Sequence, residues 1–483
     1  MTRYRNLKVG AVLALLMGNA QADELVEERV AQLQKMLEQQ QWQMQAMAEE
    51  LKALQQNRAD DKGKSTGAPV MASFKNGITF EDGSGNWKMA INGRIQADYR
   101  QYSPDADAAD TFSLRRARLG GTLTFYKDYV VRVEGEYASS NTALTYGYFD
   151  INKFAAARIR MGQFKPFYGL ERTMSTNFLD FQERSWADSL LGSTYDRGIM
   201  VHGVPYNGLY YSLAYINGSG TSDENNARED DKDVTIRLAG NIAQLAGWKD
   251  TVVHAGGWWA RGDQGSRRLA GVIPAGQTQA RGVQFFSTTC SAAACGSATA
   301  NAFDDSVERT RGGGELALAY GPVKLQGEYI RTEFDGPDYE RNIQAWYAGA
   351  LWNVTGESFA AIYKDSVFGR LIPKNNFGAN GWGALQLGVR YSKFDASDFK
   401  TTNAAGTGVL VNNPGGTSDG VLVTTNEADA WILGANWILN PNVRMVANYV
   451  HTRFDTPVTV RSNGRNDTFK DEDALTLRAQ FDF

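Results

Sequence analysis

The chain has 483 residues with 50 basic and 54 acidic side chains, and its mean hydropathy is −0.41. The slight acidic excess excludes a generally basic, nucleic-acid-binding surface, and no segment is long and apolar enough for a transmembrane helix. With 50 Gly, 23 Phe, 21 Tyr and 11 Trp, such a chain can occupy a membrane only as a closed β-barrel, whose strands satisfy one another's backbone groups.

The first 22 residues have the pattern of a secretory signal peptide. Arg3, Arg5 and Lys8 precede a short apolar run, and Ala20-Gln21-Ala22 supplies a small-x-small cleavage sequence. The apolar run is shorter than the roughly 20 residues that a membrane-spanning helix needs. We therefore expect export of the chain and cleavage after Ala22.

Residues 23–57 are rich in Gln and Glu and predict a helix. Apolar residues between Val26 and Leu54 recur at alternating spacings of four and three, which is typical of a coiled coil, and Gln40 occupies one position of this seam. A helix with so narrow an apolar stripe lacks a partner in its own domain, so we expect a periplasmic coiled coil; the alternative is a single helix on the barrel rim. Residues 58–73 are polar and predict a flexible linker.

From residue 74 to residue 483, apolar and polar residues alternate with the period of a β-strand. We expect an all-β fold here, a 16-stranded antiparallel transmembrane β-barrel that follows the N-terminal α-helical coiled coil. The predicted strands are 86–102, 111–125, 129–139, 142–154, 157–168, 196–204, 208–219, 233–243, 250–262, 309–320, 323–334, 341–355, 383–394, 427–439, 442–454 and 473–483.

The connections between the predicted strands alternate between short and long. Bacterial transmembrane β-barrels place the short turns in the periplasm and the long loops outside the cell. Most connections fit this rule, with long loops such as 263–308 and 455–472, but 356–382 is long on the short-turn side. Either a strand is miscounted or this segment folds into the barrel.

The final predicted strand shows the alternation clearly. Leu475, Leu477 and Phe481 share one face, whereas Arg478 shares the other face with further polar residues. That pattern indicates an apolar face toward lipid and a polar face toward a lumen. The aromatic Phe483 at the end of this strand resembles the terminal signature of outer-membrane barrels, so we expect this location.

The predicted loop 263–308 carries both cysteines. Cys290 and Cys295 are separated by four residues, which in an exported chain predicts a small disulfide in a surface loop. A metal site would need further ligands, and no histidine lies near. The three histidines of the chain are dispersed, so we expect no catalytic arrangement, no metal and no cofactor.

Alternation also predicts which side chains face the lumen. Arg94 and Arg100 in the first barrel strand, and Arg116 in the second, share faces opposite apolar residues. An arginine that points at lipid near mid-membrane costs about 2–4 kcal/mol, so we expect these faces to look inward. Clustered guanidinium groups in a narrow lumen hold phosphate or carboxylate oxygens and repel cations.

Several motifs of the barrel region resemble a known family. They are Asn92-Gly93-Arg94-Ile95-Gln96, Leu114-Arg115-Arg116-Ala117-Arg118-Leu119, the segment 162–172, Glu183-Arg184-Ser185 and the segment 381–392. In this order they make residues 74–483 similar to the phosphate-selective porins, the porin O and P group. The resemblance implies a homotrimer in outer-membrane lipid, an inward-folded third loop and a cationic constriction that takes small inorganic anions.

The binding site that this resemblance implies has eight residues. Carried over position by position, they are Arg115, Arg116, Asp150, Arg172, Ser175, Arg184, Lys364 and Lys374. We expect Arg116, Arg184 and Lys374 to surround one anion and the others to support them. Strict alternation points Arg115 away from Arg116, so a β-bulge or strand end is required there. Each arginine could instead be a wall residue paired across strands with an acidic residue such as Glu134, Glu136 or Glu328.

Three functions remain open at this point. The first is an anion-selective outer-membrane porin for phosphate or pyrophosphate. The second is a porin of the same fold for organic acids or general small solutes. The third is a barrel that serves as an enzyme or, through the coiled coil, as a tether. The resemblance favours the first.

Overall fold

The computed structural model describes residues 47, 49, 70–74, 77–104, 109–139, 142–221, 232–263, 276–286, 307–336, 339–378, 380–399 and 420–483. The chain divides into two compact units, Met1–Pro69 and Val70–Phe483. The predicted signal peptide, Cys290 and Cys295 lie outside the described residues. Of the predicted coiled coil, only Met47 and Glu49 are described, and both are helical. No helix in these ranges is long and apolar enough to cross a membrane.

The second unit is a β-structure with a few short helices. In chain order its elements are β1 (Val70–Ser73), β2 (Ile78–Asp82), β3 (Trp87–Ser103), β4 (Thr111–Phe125), β5 (Tyr129–Glu136), β6 (Ala143–Phe154), β7 (Ala157–Phe164), α1 (Leu170–Thr173), α2 (Trp186–Ser189), β8 (Asp196–Tyr206), β9 (Leu209–Ile216), β10 (Asp233–Asn241), α3 (Ile242–Leu245), β11 (Thr251–Asp263), β12 (Glu308–Tyr320), β13 (Val323–Gly336), β14 (Tyr339–Asn353), a 3₁₀ turn (Ala360–Ile362), β15 (Tyr363–Lys364), β16 (Val367–Phe368), β17 (Ala384–Asp395), β18 (Gly420–Val423), β19 (Glu427–Asn440), β20 (Val443–Ser462) and β21 (Arg465–Asp482).

Sixteen of these strands form a closed antiparallel barrel: β3 to β14, β17 and β19 to β21. Each pairs with the next along the chain, and β21 returns to β3 in a register that runs from Asp473 opposite Ser103 to Asp482 opposite Arg94. Closure leaves the barrel without a free sheet edge, which is what a bilayer requires of β-structure. The predicted 16-stranded barrel is therefore confirmed.

Two predicted connections differ from the structure. The predicted loop 455–472 is wrong, because β20 and β21 continue outward and turn only at Asn463 and Gly464. They remain paired there because Val458 and Val460 are buried against an apolar cluster, with Phe469 packed on it. The end of the predicted linker also differs, since Val70–Ser73 pairs with β2.

The predicted alternation of faces is present along the wall. On β21, Leu475, Leu477 and Phe481 are exposed on the outer side, whereas Arg478 and Gln480 are buried inside. An apolar outer face needs no polar partner in lipid, and the inner polar groups bond to one another. Gln480, for example, accepts a hydrogen bond from Gln96 Nε2 at 2.8 Å.

The third loop, residues 165–195 between β7 and β8, folds into the lumen and crosses it. Its backbone carbonyls accept hydrogen bonds from the opposite wall: Leu179 O from Arg444 (3.0 Å) and Gln182 O from Arg478 (2.6 Å). At its base, Glu328 accepts from the Glu171 backbone N–H at 2.7 Å. Gly169 permits this close approach, because a Cβ there would lie 1.9 Å from a Glu328 carboxylate oxygen. We call this segment loop 3.

The long connection on the short-turn side also folds inward, which resolves the irregularity in the predicted pattern. Tyr363 meets His254 Nδ1 at 2.7 Å through its hydroxyl, and Ser366 Oγ accepts from Arg237 at 2.9 Å. Phe368 is buried beneath the Lys324 ammonium group at 4.3 Å. Loop 3 and this segment thus occupy the lumen on the side of β10 to β20, and space remains beside β3 to β7.

Candidate functional site

A polar cavity of about 380 Å³ lies between loop 3 and the wall formed by β3 to β7. Its lining consists of cationic, aromatic and hydroxyl side chains: Arg94, Arg115, Arg116, Arg118, Arg132, Arg160, Lys165 and Arg184; Tyr146, Tyr148, Phe167 and Tyr195; Thr173, Ser175, Thr176 and Thr194. We call it the cationic cavity. It brings together four of the eight predicted site residues: Arg115, Arg116, Ser175 and Arg184.

A β-bulge in β4 places two consecutive arginines on the lumen side. The register passes from Gln96 opposite Arg116 to Ala97 opposite Leu114, so Arg115 is the extra residue. Leu114 points outward and is 56% exposed, while Arg116 is buried inside at 6%. A β-bulge or a strand end was required for both arginines to reach the lumen, and the structure has the β-bulge.

The lining residues form successive levels along the wall, which can be read from the strand register. At the first level, Arg94 pairs with Arg118. At the second level, two residues further along β4, Gly120 pairs with Glu134, and Glu134 pairs with Tyr146. At the next level Arg132 pairs with Tyr148. Each step of two residues spans about 7 Å along a strand. Aromatic rings and cations therefore lie on adjacent or shared levels down one side of the lumen.

Positive charge exceeds negative charge around the cavity. Eight cations line it, and none of its described lining residues is acidic. Within the described ranges, ion pairs join these cations to five carboxylates, which belong to Glu134, Glu136, Asp150, Glu183 and Asp188. Glu183 is shared further, since it also pairs with Arg100 and Arg478. The lining thus keeps a surplus of positive charge that can attract an anion.

Glu183 of loop 3 is the centre of a cluster of four arginines: Arg100, Arg115, Arg116 and Arg478. Its carboxylate accepts from Arg115 Nε at 2.9 Å and from Arg478 Nη2 at 2.9 Å. Burial alone would raise the pKa of Glu183, but the guanidinium groups of Arg115, Arg478 and Arg116 hold the pKa of this carboxyl well below its usual range. Glu183 therefore remains ionised and fixes the arginines in place.

The cations differ in how fully they are compensated. Arg116 donates to the neutral amide oxygen of Gln96 at 2.8 Å, and its nearest carboxylate oxygen, on Glu183, is 4.0 Å away. Lys165 Nζ donates to two backbone carbonyls, of Thr173 (3.1 Å) and Met174 (2.8 Å). Such neutral partners orient a charge without cancelling it, so these cations can still attract an anion.

Arg184 and Ser175 reach the cavity from loop 3. Arg184 donates through Nε to Glu171 O at 3.1 Å and through Nη2 to Met174 O at 3.0 Å. These carbonyls come from the short helix α1 and the residue after it, so Arg184 binds the turn that also carries Ser175. The side chain of Arg184 is positioned by the fold of the loop as well as by Asp188, at 3.6 Å.

Two predicted site residues are absent from the cavity lining: Asp150 lies in the wall and Arg172 within loop 3. Asp150 is buried and accepts two hydrogen bonds of 2.8 Å from Arg160, which does line the cavity. Arg172 is 1% exposed and donates to Asp188 Oδ1 at 2.6 Å and to Ser193 O at 2.9 Å. Arg172 therefore holds loop 3 together and presents no free edge to a solute.

The two predicted lysines, Lys364 and Lys374, do not line this cavity. Lys364 and Lys374 are both exposed. Lys374 Nζ donates to Thr355 O at 3.3 Å, and its backbone N–H donates to Glu357. The segment does fold inward, but the side chains that enter the lumen are Tyr363, Ser366 and Phe368.

Five lining cations and all the aromatic residues were absent from the predicted site. Alternation had indicated that Arg94 and Arg116 face inward, and the same rule places Arg118, Arg132 and Arg160 there. It could not separate inward side chains that face open space from those that loop 3 covers. Lys165 lies in the predicted strand 157–168, where alternation would turn it away from the face of Arg160, but β7 ends at Phe164 and the rule no longer applies to it.

Comparisons with known proteins were made for the whole chain. The family model for phosphate-selective porin O and P matches residues 89–483. Porin O of Pseudomonas aeruginosa is 25% identical over 447 residues, covering 86% of this chain and 93% of the relative. Among solved structures, the outer-membrane channel DcaP of Acinetobacter baumannii has 12% identity and a TM-score of 0.48, covering 84% of this chain and 99% of its own. An anion-selective porin from Comamonas acidovorans has 11% identity and a TM-score of 0.47, covering 82% and 100%.

Proposed function

This chain belongs to the phosphate-selective porin O and P family, and we propose that its cationic cavity is the anion-selecting constriction of an outer-membrane channel for phosphate. The observation that carries the proposal is the surplus of positive charge beside β3 to β7, where eight cations line a space free of acidic side chains among the described lining residues. Family membership makes the protein an outer-membrane porin; the solute and the constriction are what we propose.

Selection in this cavity follows from fixed charge in a narrow lumen. Guanidinium groups stay ionised at every working pH, and they offer donors that match the oxygens of phosphate. Arg116 and Arg94 are the best placed to bind the anion. Arg94 donates to Thr176 Oγ1 at 2.6 Å, a neutral partner, and its distance to Glu134 is 3.5 Å. Cations are repelled by the same groups, so the field favours anions before any contact is made.

Passage requires that the anion also leave. The carboxylates behind the lining arginines lower the positive charge that a bound phosphate meets. The successive levels of the wall offer several binding positions along the path. Conduction needs binding that is strong enough to admit the ion, and weak enough or divided among enough sites to release it. A bound phosphate should therefore obstruct chloride, which makes chloride current a readout of phosphate binding.

The first prediction concerns Arg116. In planar bilayers under a salt gradient, the wild-type channel should show an anion-selective reversal potential, and added phosphate should inhibit chloride current. Arg116→Gln should lower anion selectivity and raise the inhibiting phosphate concentration roughly tenfold or more, because a hydrogen bond to a charged group contributes about 1.5–3 kcal/mol.

Lys374→Gln is the matched control, since it removes one positive charge outside the cavity. It should leave the anion selectivity and the inhibiting phosphate concentration near their wild-type values. A cation-selective wild-type channel, or chloride current that phosphate does not change, would overturn the phosphate proposal. In that case the porin for organic acids or general small solutes takes its place.

We further propose that the channel is a homotrimer, as the family resemblance implies, with residues 23–57 forming a periplasmic coiled coil. The seam from Val26 to Leu54 supports this proposal, and an exposed apolar outer wall, with Phe112 84% exposed, offers surface for lipid or for a neighbouring barrel.

A further inference from the structure

Four aromatic side chains share the cationic cavity with the arginines. Tyr146 and Tyr148 come from β6, and Phe167 and Tyr195 come from loop 3. An inorganic oxyanion binds through charge and hydrogen bonds and gains little from ring faces. The rings are therefore the part of the lining that phosphate binding does not use.

A second β-bulge contributes to this aromatic surface. In β6 the register passes from Tyr146 opposite Glu134 to Leu144 opposite Gly135, so Thr145 is the extra residue. Thr145 Oγ bonds back to Glu134 O at 2.9 Å, and Tyr146 lines the cavity above Tyr148. The two tyrosine rings meet edge to face with their centroids 5.9 Å apart.

Arg132 and Arg160 each lie over the face of one of these rings. The guanidinium carbon of Arg132 is 4.3 Å from the Tyr146 ring centroid, and that of Arg160 is 4.0 Å from the Tyr148 ring centroid. Their edges are engaged by carboxylates: Arg132 donates to Glu134 at 2.8 Å, and Arg160 donates twice to Asp150 at 2.8 Å. Because both charges are paired with carboxylates, each guanidinium is suited to stacking by its planar face more than to holding a further anion.

The pair of Arg94 and Arg116 and the pair of Arg132 and Arg160 are thus suited to different parts of one ligand. Arg94 and Arg116 have a hydroxyl and an amide as their hydrogen-bonding partners and keep charge available for an oxyanion. Arg116 lies one level above the pair of Arg94 and Arg118, and Tyr146 lies one level below that pair, about 7 Å along the strand. A single benzene ring that carries an oxyanion can span that distance.

We propose that the cationic cavity accepts oxyanions carried on a planar aromatic ring, with the oxyanion at Arg94 and Arg116 and the ring against Arg132, Arg160 and the two tyrosines. The ligand class comprises aryl phosphates and aromatic carboxylates. The inference rests on the proposed anion channel and extends its solutes from inorganic phosphate to aromatic organic anions.

The test compares ligands that share a head group and differ only in the ring. Chloride current through the full-length channel is titrated with phenyl phosphate and methyl phosphate, and separately with benzoate and acetate. The aryl member of at least one pair should block at a roughly tenfold lower concentration than its alkyl partner, as expected for one desolvated stacking contact with a cation. Block by phenyl phosphate without block by benzoate supports the proposal and restricts the class to phosphates.

Tyr148→Leu removes the ring on which Arg160 lies and should reduce the aryl-to-alkyl ratio severalfold. The ratio is the readout because a general loss of anion binding changes the blocking concentrations of the aryl and the alkyl anion by the same factor. Tyr215→Leu, at an exposed position on the outer wall, is the control and should leave the ratio at its wild-type value.

The outcomes separate this inference from the proposed function. Equal block by aryl and alkyl members in both pairs, or an unchanged ratio in Tyr148→Leu, overturns the aromatic proposal while inhibition by inorganic phosphate still upholds the anion channel. A cation-selective wild-type channel overturns both.

Discussion

Asp150 and Arg160 show how one acidic residue can tune a cationic lumen. The pair is bidentate and nearly buried, so the carboxylate offsets the positive charge of Arg160 before a solute arrives. Arg160 remains in the cavity lining, whereas Asp150 lies behind it. The carboxylate therefore limits the strength of anion binding instead of contacting the anion, which is what a channel needs for release.

The second prediction follows from this pair. Asp150→Asn removes one negative charge and retains an acceptor for Arg160, so the lumen gains net positive charge. Phosphate should inhibit chloride current at a lower concentration than in the wild type, and the reversal potential should stay anion-selective. The measurement is a phosphate titration of single-channel current.

The double variant Asp150→Asn with Arg160→Gln provides the check on Asp150, because it restores the charge balance. Its phosphate sensitivity should return toward that of the wild type. Weaker phosphate block in Asp150→Asn alone would contradict the role assigned here.

At the level of single elements, the bulge in β4 decides which arginines are available. Without it, Leu114 and Arg116 would lie on the same face, because side chains alternate with a period of two. The additional residue Arg115 resets the alternation, so Leu114 faces outward and Arg116 faces inward. Its side chain then reaches Glu183 of loop 3, which joins the wall to the loop.

The third prediction is that deletion of Arg115 is tolerated. The shortened strand would alternate regularly, with Leu114 still outward and Arg116 still inward, so the barrel should assemble. The channel should lose one cation and the Glu183 contact, and phosphate inhibition should weaken. Folding is measured by heat-modifiable electrophoretic migration, and binding by chloride current.

Deletion of Ala117 is the contrasting variant. Ala117 is paired in register opposite Ile95. Its loss shifts one part of β4 by one residue, and if the bulge absorbs the shift, Arg116 takes the outward position of Ala117 and points at lipid, which costs about 2–4 kcal/mol. We expect little or no folded barrel. Equal folding of the two deletion variants would show that the bulge does not set the register.

Loop 3 is an element held by buried polar contacts rather than by a hydrophobic core alone. Arg172 is fixed by Asp188 and nearby carbonyls, and Arg390 pairs with Glu171 at 3.0 Å. Removing one partner from a buried ion pair costs about 3–5 kcal/mol. Such contacts hold loop 3 in one conformation. The cationic cavity depends on that conformation because half of its lining residues belong to loop 3.

For the molecule as a whole, net charge and local charge have opposite signs. The chain carries a formal charge of −4, yet the open part of the lumen is lined by cations. The surplus arises because acidic side chains lie behind the arginines, while the arginines face the space. Solute preference in a pore is set by this local arrangement, and overall composition is a poor guide to it.

The fourth prediction concerns assembly. We expect a trimer recovered from the outer membrane, with its N-terminus after Ala22. A peptide of residues 23–57 should be helical in a concentration-dependent manner, because isolated helices of this kind gain stability by association. Sedimentation equilibrium measures the oligomer.

Leu37→Glu is the matched variant, since it puts a charge into the apolar seam. It should abolish association of the peptide. If the unmodified peptide stays monomeric at high concentration, the segment is a single helix and the trimer, if present, depends on the barrels alone.

The sequence by itself determined the barrel, because lipid outside and polar groups inside impose a period of two that can be read residue by residue. It also required a β-bulge or a strand end at Arg115 if both arginines face the lumen as the resemblance implies, since adjacent residues of a regular strand point to opposite faces. It did not determine which inward residues meet a solute. Arg94, Arg118 and Lys165 belong to the cavity because loop 3 crosses to the opposite wall, and Lys374 does not because its segment enters the lumen through other side chains. Those outcomes depend on hydrogen bonds between residues hundreds of positions apart, such as Arg478 to Gln182, and only the tertiary structure brings such residues together.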